Sequence, residues 1–592
     1  MVRRLTTERP AAHIEMHVIV VIGVVIGAQH RRKPLACAAA HRAQELPHRR
    51  IGIVQQPAVG RNHVAVAKCR RQGGAAALRI LGLGRDVQPG QDVVAKVDRL
   101  LHRRQPRRDR PAQFAGIRTD ADLNEMGEPI ELYCQPQADY LPDPQSCLLT
   151  GITPQRCMER GVPEFEFARR IEAALGAEGT IGVGYNTIRF DDEVTRHLFW
   201  RNLIAPYDRE FRNQCGRWDI LDLVRAAYAL RPDGIVWPTA VNDKGETRHS
   251  FKLELLTAAN GIAHEAAHDA VSDVRATIAL ARLIKQKQPK LFDFYLALHK
   301  KDRVMQEMNL PATQMFAKPF IHVSGMFPAE RGCMAVMWPL ATHPTNKNEI
   351  IAWDLCADAD LPSILMDLKA EQIRERMFTK QDELPAGVMR LPIKTVHLNK
   401  SPFVLGNLKT LTPALQEKWG IEMDACLAKA QLARALLDMS AAWSEVFKRP
   451  ASDNNTPPDV DEALYDGFIN DADRRTLAQQ QKLATTTPDQ LGKRLPAFDD
   501  PRLDEVFWRY RARNFPQSLD TEELAAWHEH CRARLHDGVG KARTLTSYFE
   551  EIEKLEAELQ ATLDGASEPN VAGKAVLERL RDYGTRLLGS VS

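Results

Sequence analysis

A chain of 592 residues, 44% apolar and 27% charged, is long enough for several cores and has the composition of a globular protein. Its formal charge of +3 hides a division: residues 1–108 carry 21 Lys+Arg against 6 Asp+Glu, whereas residues 109–592 carry 59 against 71. The longest apolar run, residues 18–28, is too short to span a bilayer as a helix, and His30-Arg31-Arg32-Lys33 stands where a signal peptide would need small residues, so both features argue against anchoring and export, and membrane association through residues 18–28 is the minor reading.

Aromatic content draws the same boundary, because none of the 39 Phe, Trp and Tyr precedes Phe114. A folded domain without aromatics lacks the residues that usually dominate buried area. Residues 1–108 therefore read as an atypical basic segment, non-native (a wrong reading frame) or disordered, with a basic nucleic-acid arm as the other reading. The ten cysteines include no Cys-x-x-Cys pair. That scatter favours reduced thiols in a cytoplasmic protein and argues against a zinc site.

From residue 111 the texture becomes that of an α/β domain. Residues 113–119 and 129–134 predict two short strands joined by a hairpin connection through Asn124-Glu-Met-Gly127, and Thr153-Pro154 opens a helix. Helical spacing runs through residues 163–175, and residues 180–185 form a short buried strand that delivers Asp191 to the start of the next helix. Further helices are expected to start at Arg217-Trp218-Asp219-Ile-Leu-Asp222 and at residues 251–256. Strand pairs followed by alternating helices and strands imply a mixed sheet with helices packed on it.

Gly261-Ile-Ala-His-Glu-Ala-Ala-His268-Asp269-Ala-Val-Ser-Asp273 then reads as a loop running into an amphipathic helix over residues 267–285. Residues 320–323, 333–338, 349–355 and 395–398 predict strands of a small barrel-like domain, with helical segments at 361–377 and 412–437. Ala451-Ser-Asp-Asn-Asn-Thr-Pro-Pro458 is a linker, and helices at 459–468, 503–513, 521–535 and 545–563 make the remainder a helical domain.

His268 and Asp273 lie five residues apart, about 140° of helix rotation, so they can aim at one point only if His268 is in the loop and Asp273 on the helix. A helix N-terminus with a solvated turn is the blander reading of the pair. The second acidic cluster, Gly184-Tyr-Asn-Thr-Ile-Arg-Phe190-Asp191-Asp192-Glu193, gives it weight. Carboxylates suit hard divalent cations, two such ions stabilise the attacking and leaving oxygens of a phosphodiester, and a histidine titrating near neutrality can take a proton from water. Ligands of one centre require Asp191 and Asp273 to lie within about 12 Å by Cα.

These residues, with Asp109-Arg-Pro-Ala-Gln-Phe-Ala-Gly-Ile-Arg-Thr-Asp120, Leu149-Thr-Gly-Ile-Thr-Pro154, Arg217-Trp-Asp219, Arg225-Ala-Ala-Tyr-Ala-Leu-Arg-Pro232, His322-Val-Ser-Gly-Met-Phe327, Leu464-Tyr-Asp-Gly-Phe468 and Tyr510-Arg-Ala-Arg-Asn-Phe-Pro516, resemble the exodeoxyribonuclease I family of DEDDh exonucleases. The resemblance covers about 480 residues. It implies an RNase H-like mixed-sheet exonuclease domain (109–288), a barrel-like domain of the Src-homology-3 type with helices (289–445), a linker (446–458) and a helical domain (459–592). By resemblance Asp191 and Asp273 are metal ligands, His268 is the general base, and Arg231 contacts DNA or the tail of single-stranded DNA-binding protein. The activity implied is 3′-to-5′ degradation of single-stranded DNA to mononucleotides with two magnesium ions, or manganese, in DNA repair and recombination.

One departure stands out. The family opens on a strand carrying Asp-x-Glu-Thr, yet Arg103-Arg-Gln-Pro-Arg-Arg108-Asp109 precedes Arg110 and no Asp-x-Glu lies N-terminal to it. The first strand is therefore expected to be missing unless residues 18–26 or 51–55 fill its place. The alternative function that follows is a non-catalytic module binding single-stranded DNA and a partner.

Overall fold

The computed structural model describes residues 18–27, 106–241, 245–263, 270–311, 316–436, 438–448, 459–563 and 571–591. Its first sheet has five strands in the order β3-β2-β1-β4-β5: β1 (Val18–Gly27), β2 (Arg110–Thr119), β3 (Ile130–Tyr133), β4 (Thr180–Gly184) and β5 (Gly216–Asp219). The position that the sequence leaves vacant is filled. β1 sits at the centre, antiparallel to β2 from Ile19↔Thr119 to Gly27↔Arg110 and parallel to β4 from Val18↔Thr180 to Val21↔Val183. Nothing in β1 is charged, and its Val-Ile-Val-Val-Ile-Gly-Val-Val-Ile-Gly composition is what a strand flanked on both sides requires.

Helices α1 (Pro144–Thr150), α2 (Pro154–Arg160) and α3 (Glu164–Leu175) follow the β2–β3 hairpin. Asp143 and Thr153 cap α1 and α2 by accepting the N–H groups of Ser146 and Arg156, and a proline opens each helix. Next come α4 (Asp191–Arg201), α5 (Ile220–Leu230), α6 (Leu253–Ala259), α7 (Ala270–Lys287), α8 (Pro289–Ala297) and α9 (Lys301–Glu307). The expected helix start at Arg217 is corrected: Arg217, Trp218 and Asp219 belong to β5, paired in parallel with Gly182, Val183 and Gly184 of β4, and the helix begins at Ile220. Alternation is invisible there because all four residues of β5 are buried, Arg217 by ion pairs and not by apolar character. β6 (Thr239–Val241) and β7 (Thr247–His249) form a separate exposed ribbon.

The second sheet is antiparallel, ordered β11-β10-β9-β8-β12, from β8 (Phe320–Val323), β9 (Met334–Thr342), β10 (Glu349–Asp354), β11 (Ile393–His397) and β12 (Phe403–Leu405). Trp353 and Trp338 are cross-strand partners, and both are fully buried. The helical stretches expected at 361–377 and 412–437 each divide in two: α10 (Leu361–Asp367) and α11 (Ala370–Phe378), then α12 (Pro413–Trp419) and α13 (Met423–Arg434). The αL residue Gly420 ends α12, a conformation that glycine adopts without a Cβ penalty. The linker at 451–458 lies outside the described residues.

Beyond it, residues 459–468 hold a 3₁₀ turn, Val460–Tyr465, in place of the expected α-helix. Four long helices and one of 12 residues complete the chain: α14 (Asp471–Thr486), α15 (Arg502–Asn514), α16 (Thr521–Arg532), α17 (Leu545–Leu563) and α18 (Val571–Val591). Leu545, Tyr548, Ile552 and Leu559 of α17 share a core with Leu577 and Leu580 of α18 and with Leu141, Cys147 and Leu148 beside α1. The helical domain thus packs on α1, one of the helices of the first sheet's domain.

Candidate active site

Parallel β4 and β5 end at the same edge of the sheet, where loops rather than ladders satisfy the backbone and where ligands of open α/β sheets bind. After Gly184 the chain turns through Asn186, in the left-handed region at φ 64°, and a 3₁₀ turn, Thr187–Arg189, before α4 begins at Asp191. The shape of this loop is set from β5. Asp219 accepts the N–H groups of Asn186 at 2.8 Å, Ile188 at 3.2 Å and Leu221 at 3.0 Å, so one carboxylate both caps α5 and fastens the loop that delivers Asp191. Burial, then the neighbouring Asp222, push Asp219 up to about 7 despite those three donors. Tyr185 adds a second tie by donating its hydroxyl to the Phe251 carbonyl.

The three consecutive acids at the start of α4 have separate surroundings. Asp191 is buried in the first turn, where the helix dipole favours a carboxylate, and its carbonyl accepts the Thr195 hydroxyl at 2.7 Å. Asp192 is held between Arg209 at 2.7 Å and Arg217 at 3.0 Å. Burial alone would raise its pKa; the two guanidinium groups more than offset that and hold it at about 2. Glu193 accepts from Arg196 at 2.6 Å and from the Tyr465 hydroxyl at 2.5 Å, a contact that reaches the helical domain. Against its burial these donors lower its pKa.

Asp273 lies half-buried in the first turn of α7. This helix packs across β1 and β2, with Ala270, Val274, Ile278 and Ala281 buried at helical spacing. Lys285 donates to Asp122 at 2.8 Å, and Arg275 to Glu125 at 3.2 Å, pinning α7 to the β2–β3 turn. Arg231 is exposed at the end of α5, its guanidinium donating to the Leu230 carbonyl. His268 lies outside the described residues.

Sequence reasoning missed the work done by Asp192 and Asp219. Asp219 had a readable signal, an aspartate between a strand and an apolar helix, which is N-cap chemistry. Asp192 had none, because its partners stand 17 and 25 residues away. Among the described residues no group of three or more His, Cys, Asp or Glu is disposed to hold a metal ion, and β1 adds no carboxylate to Asp191 and Asp273. The described donor set therefore does not fit a two-ion centre.

Three family models match in succession: Exonuclease over residues 103–281, Exonuclease I SH3-like domain over 299–449, and Exonuclease I C-terminal domain over 458–587. Exodeoxyribonuclease I of Haemophilus influenzae is 41% identical over 488 residues, covering 82% of this chain and 96% of the relative. The chain belongs to the exodeoxyribonuclease I family. The family's solved structures agree: Exonuclease I from Methylocaldum szegediense matches at 44% identity and TM-score 0.73, over 82% of this chain and 97% of that one. Escherichia coli Exonuclease I in complex with a dA16 oligonucleotide matches at 40% identity and TM-score 0.71, with the same coverage. The family identity makes the first domain a nuclease domain. β1, at residues 18–27, precedes the first family match at 103.

The family's ordered motifs meet in space as well. A Cβ on Gly325 would come within 2.6 Å of the Arg225 guanidinium, so Gly325 in the His322–Phe327 stretch leaves room for the end of that α5 side chain. Trp419 donates to the Ala229 carbonyl at 2.9 Å, and Ser401 to that of Arg217 at 2.6 Å. The nuclease and SH3-like domains are therefore locked by specific hydrogen bonds. Among the described residues no helix is long and apolar enough to cross a membrane.

Proposed function

We propose that this chain is a 3′-to-5′ exonuclease of single-stranded DNA, releasing mononucleotides in DNA repair and recombination in the cytoplasm, whose cleavage depends on an Asp-x-Glu-Thr strand at the centre of the first sheet. The supporting observation is the ordered run of an exonuclease domain and two Exonuclease I domains, with Asp191 and Asp273 each in the first turn of a helix packed beside the nuclease sheet. Asp191 and Asp273 are the proposed metal ligands, His268 the proposed base, and Asp219 holds the loop before Asp191. Magnesium is the proposed ion; a zinc-bound form of an Exonuclease I–single-stranded DNA complex supports a divalent-metal centre in the family without fixing the element. A solved complex of Exonuclease I with SSB-Ct supports single-stranded DNA-binding protein as partner, with Arg231 as a candidate contact.

DNA binding does not follow from overall charge, since residues 109–592 are net acidic. It requires local stacking and basic groups. Phe468, 95% exposed in the Leu464–Phe468 motif, is an aromatic face with no packing role of its own. The second reading, a binding module without cleavage, rests on the uncharged β1. A 5′-labelled single-stranded oligonucleotide separates the two. Stepwise shortening from the 3′ end with magnesium, stopped by EDTA, is expected once β1 is replaced by a strand carrying Asp-x-Glu-Thr. Internal fragments, or equal attack on duplex DNA, would sink the exonuclease reading; binding with no cleavage after that replacement would establish the module.

A further inference from the structure

Away from the nuclease site, two thiols meet across the SH3-like domain. Cys356 lies two residues beyond the end of β10, and Cys426 lies in α13. They are 70 residues apart in the chain, yet their sulfurs are 3.8 Å apart, with the Cys426 thiol donating to Cys356. The Val336 N–H of β9 donates to the same Cys356 sulfur at 3.3 Å. One turn beyond Cys426, Lys429 donates its ammonium to the carbonyls of Leu355 and Ala357, on either side of Cys356. Loop and helix are thus registered by three polar contacts, one of them between the sulfurs, and the loop is tied to β9 by a fourth. Sulfurs in van der Waals contact need to approach by only about 2 Å to reach a disulfide bond length near 2.05 Å, a distance that side-chain rotation can supply.

The two thiols are not equivalent. The hydrogen bond from Cys426, helped by the Val336 N–H and Arg331, holds Cys356 below the ordinary thiol range against its burial and Asp354. Cys426 is pushed the other way by that same hydrogen bond and by burial. Cys356 is half-buried, whereas Cys426 is 1% exposed. The chain's other described cysteines give the contrast: burial raises Cys134, Cys147 and Cys157, the last to about 12. Thiolate character and access decide which sulfur reacts, and both select Cys356.

We propose that Cys356 and Cys426 form an oxidant-closed staple, a reversible disulfide made by a hydroperoxide. The Cys356 thiolate attacks the terminal peroxide oxygen; the O–O bond breaks, Cys356 becomes a sulfenic acid, and the departing oxygen takes up the proton that Cys356 released, leaving as water or an alcohol. The Cys426 sulfur then attacks the Cys356 sulfur. The S–S bond forms, the S–O bond breaks, and hydroxide leaves with the Cys426 proton as water. Two thiols and one hydroperoxide become one disulfide, water and water or alcohol, the two electrons passing from sulfur to the O–O bond. The product ties α13 covalently to the end of β10 and closes a loop of 70 residues, which restricts the unfolded chain.

The test uses the full chain purified under reducing conditions and exposed to limiting hydrogen peroxide. Remaining thiols are alkylated in denaturant and the protein is digested without reductant. Mass spectrometry is expected to find the Cys356 and Cys426 peptides joined, two hydrogens lighter than their sum and separated by dithiothreitol, with Cys134, Cys147 and Cys157 alkylated. The oxidised protein is expected to melt about 4 °C or more higher, a shift absent in Cys426→Ala. If that variant does not fold, Cys356→Ser, at the half-buried position, serves the same comparison. Alkylation of both cysteines after peroxide, over-oxidation of Cys356 beside an alkylated Cys426, or a joined pair that leaves Tm unchanged would each overturn the staple.

Discussion

Asp192 shows how little a residue's neighbours in sequence say about its role. It follows Asp191 directly, but its carboxylate lies between two buried guanidinium groups on β5 and the Asp208–Glu210 turn. Replacing it by asparagine keeps the shape, strands the nearly inaccessible Arg209 and leaves the equally buried Arg217 with Glu210 as its remaining carboxylate. Breaking a buried pair costs about 3–5 kcal/mol, and Asp192→Asn is expected to lose that much in denaturant unfolding at pH 7. A loss below about 1 kcal/mol would show that the pairs are not holding the loop. The pH dependence follows from the sign of the shift. A folded pKa held at about 2, below the unfolded value near 3.9, gives stability that is complete above pH ~4 and is lost as pH falls toward 2. Asp139 and Asp461 are lowered by arginines in the same way, so the three act together. The unfolding free energies of Asp192→Asn and the parent should therefore draw together as pH falls toward 2, the variant having already lost what acid removes.

At the scale of elements, the docking of the helical domain is the part of the fold that the sequence conceals most. Arg110 at the start of β2 pairs with Asp461 of the 3₁₀ turn at 2.9 Å and with Glu164 of α3 at 3.4 Å, and Glu164 pairs with Arg201 of α4 at 2.8 Å. Arg513 of α15 bridges Asp139 and Asp461, each at 2.7 Å. Charged residues normally mark a solvated face, so nothing local in Arg110, Asp139 or Arg513 announces burial. Regular elements were legible where periodicity is strong. The helix at 545–563 coincides with α17, and the buried strand at 180–185 with β4. Three-residue β12 is too short for any period, and β5 hides behind its ion-paired arginine. At the proposed site, the helix starts that carry Asp191 and Asp273 were legible in the motifs, whereas the loop architecture around Asp219 depends on contacts formed only on folding. The network makes its own prediction. Arg513→Met removes one of the two cations that Asp139 and Asp461 share, the other being Arg110, and is expected to lower the first thermal transition and split melting into two steps, while Phe468→Ala leaves Tm unchanged and weakens single-stranded DNA binding by about 1–3 kcal/mol. A single unshifted transition for Arg513→Met would show that the network does not carry the docking, and unchanged affinity for Phe468→Ala would remove the exposed ring from the DNA path.

For the whole molecule, the central question is what an uncharged strand at the middle of a nuclease sheet does to catalysis. β1 satisfies the sheet: its ladders to β2 and β4 leave neither neighbour with an open edge, so the fold does not need a carboxylate there. Chemistry does need one. Two divalent ions held by Asp191 and Asp273 alone would lack the negative charge that offsets their dehydration, and water away from a metal keeps a pKa near roughly 15.7. A general base contributes on the order of 10²- to 10⁴-fold, well below the acceleration that phosphodiester hydrolysis demands. The proposed binding parts lie elsewhere, in the exposed ring of Phe468 and the SH3-like and helical domains, which the β1 sequence leaves untouched. The chain is therefore expected to bind a single-stranded oligonucleotide in EDTA with an affinity within about threefold of a version whose central strand carries Asp-x-Glu-Thr, a difference under 1 kcal/mol. Its magnesium-dependent release of mononucleotides should be at least about 10³-fold slower than that version's, the equivalent of roughly 4 kcal/mol in the barrier. Equal cleavage rates would refute the argument, because they would mean that β1 is not the strand from which this nuclease takes its metal ligands.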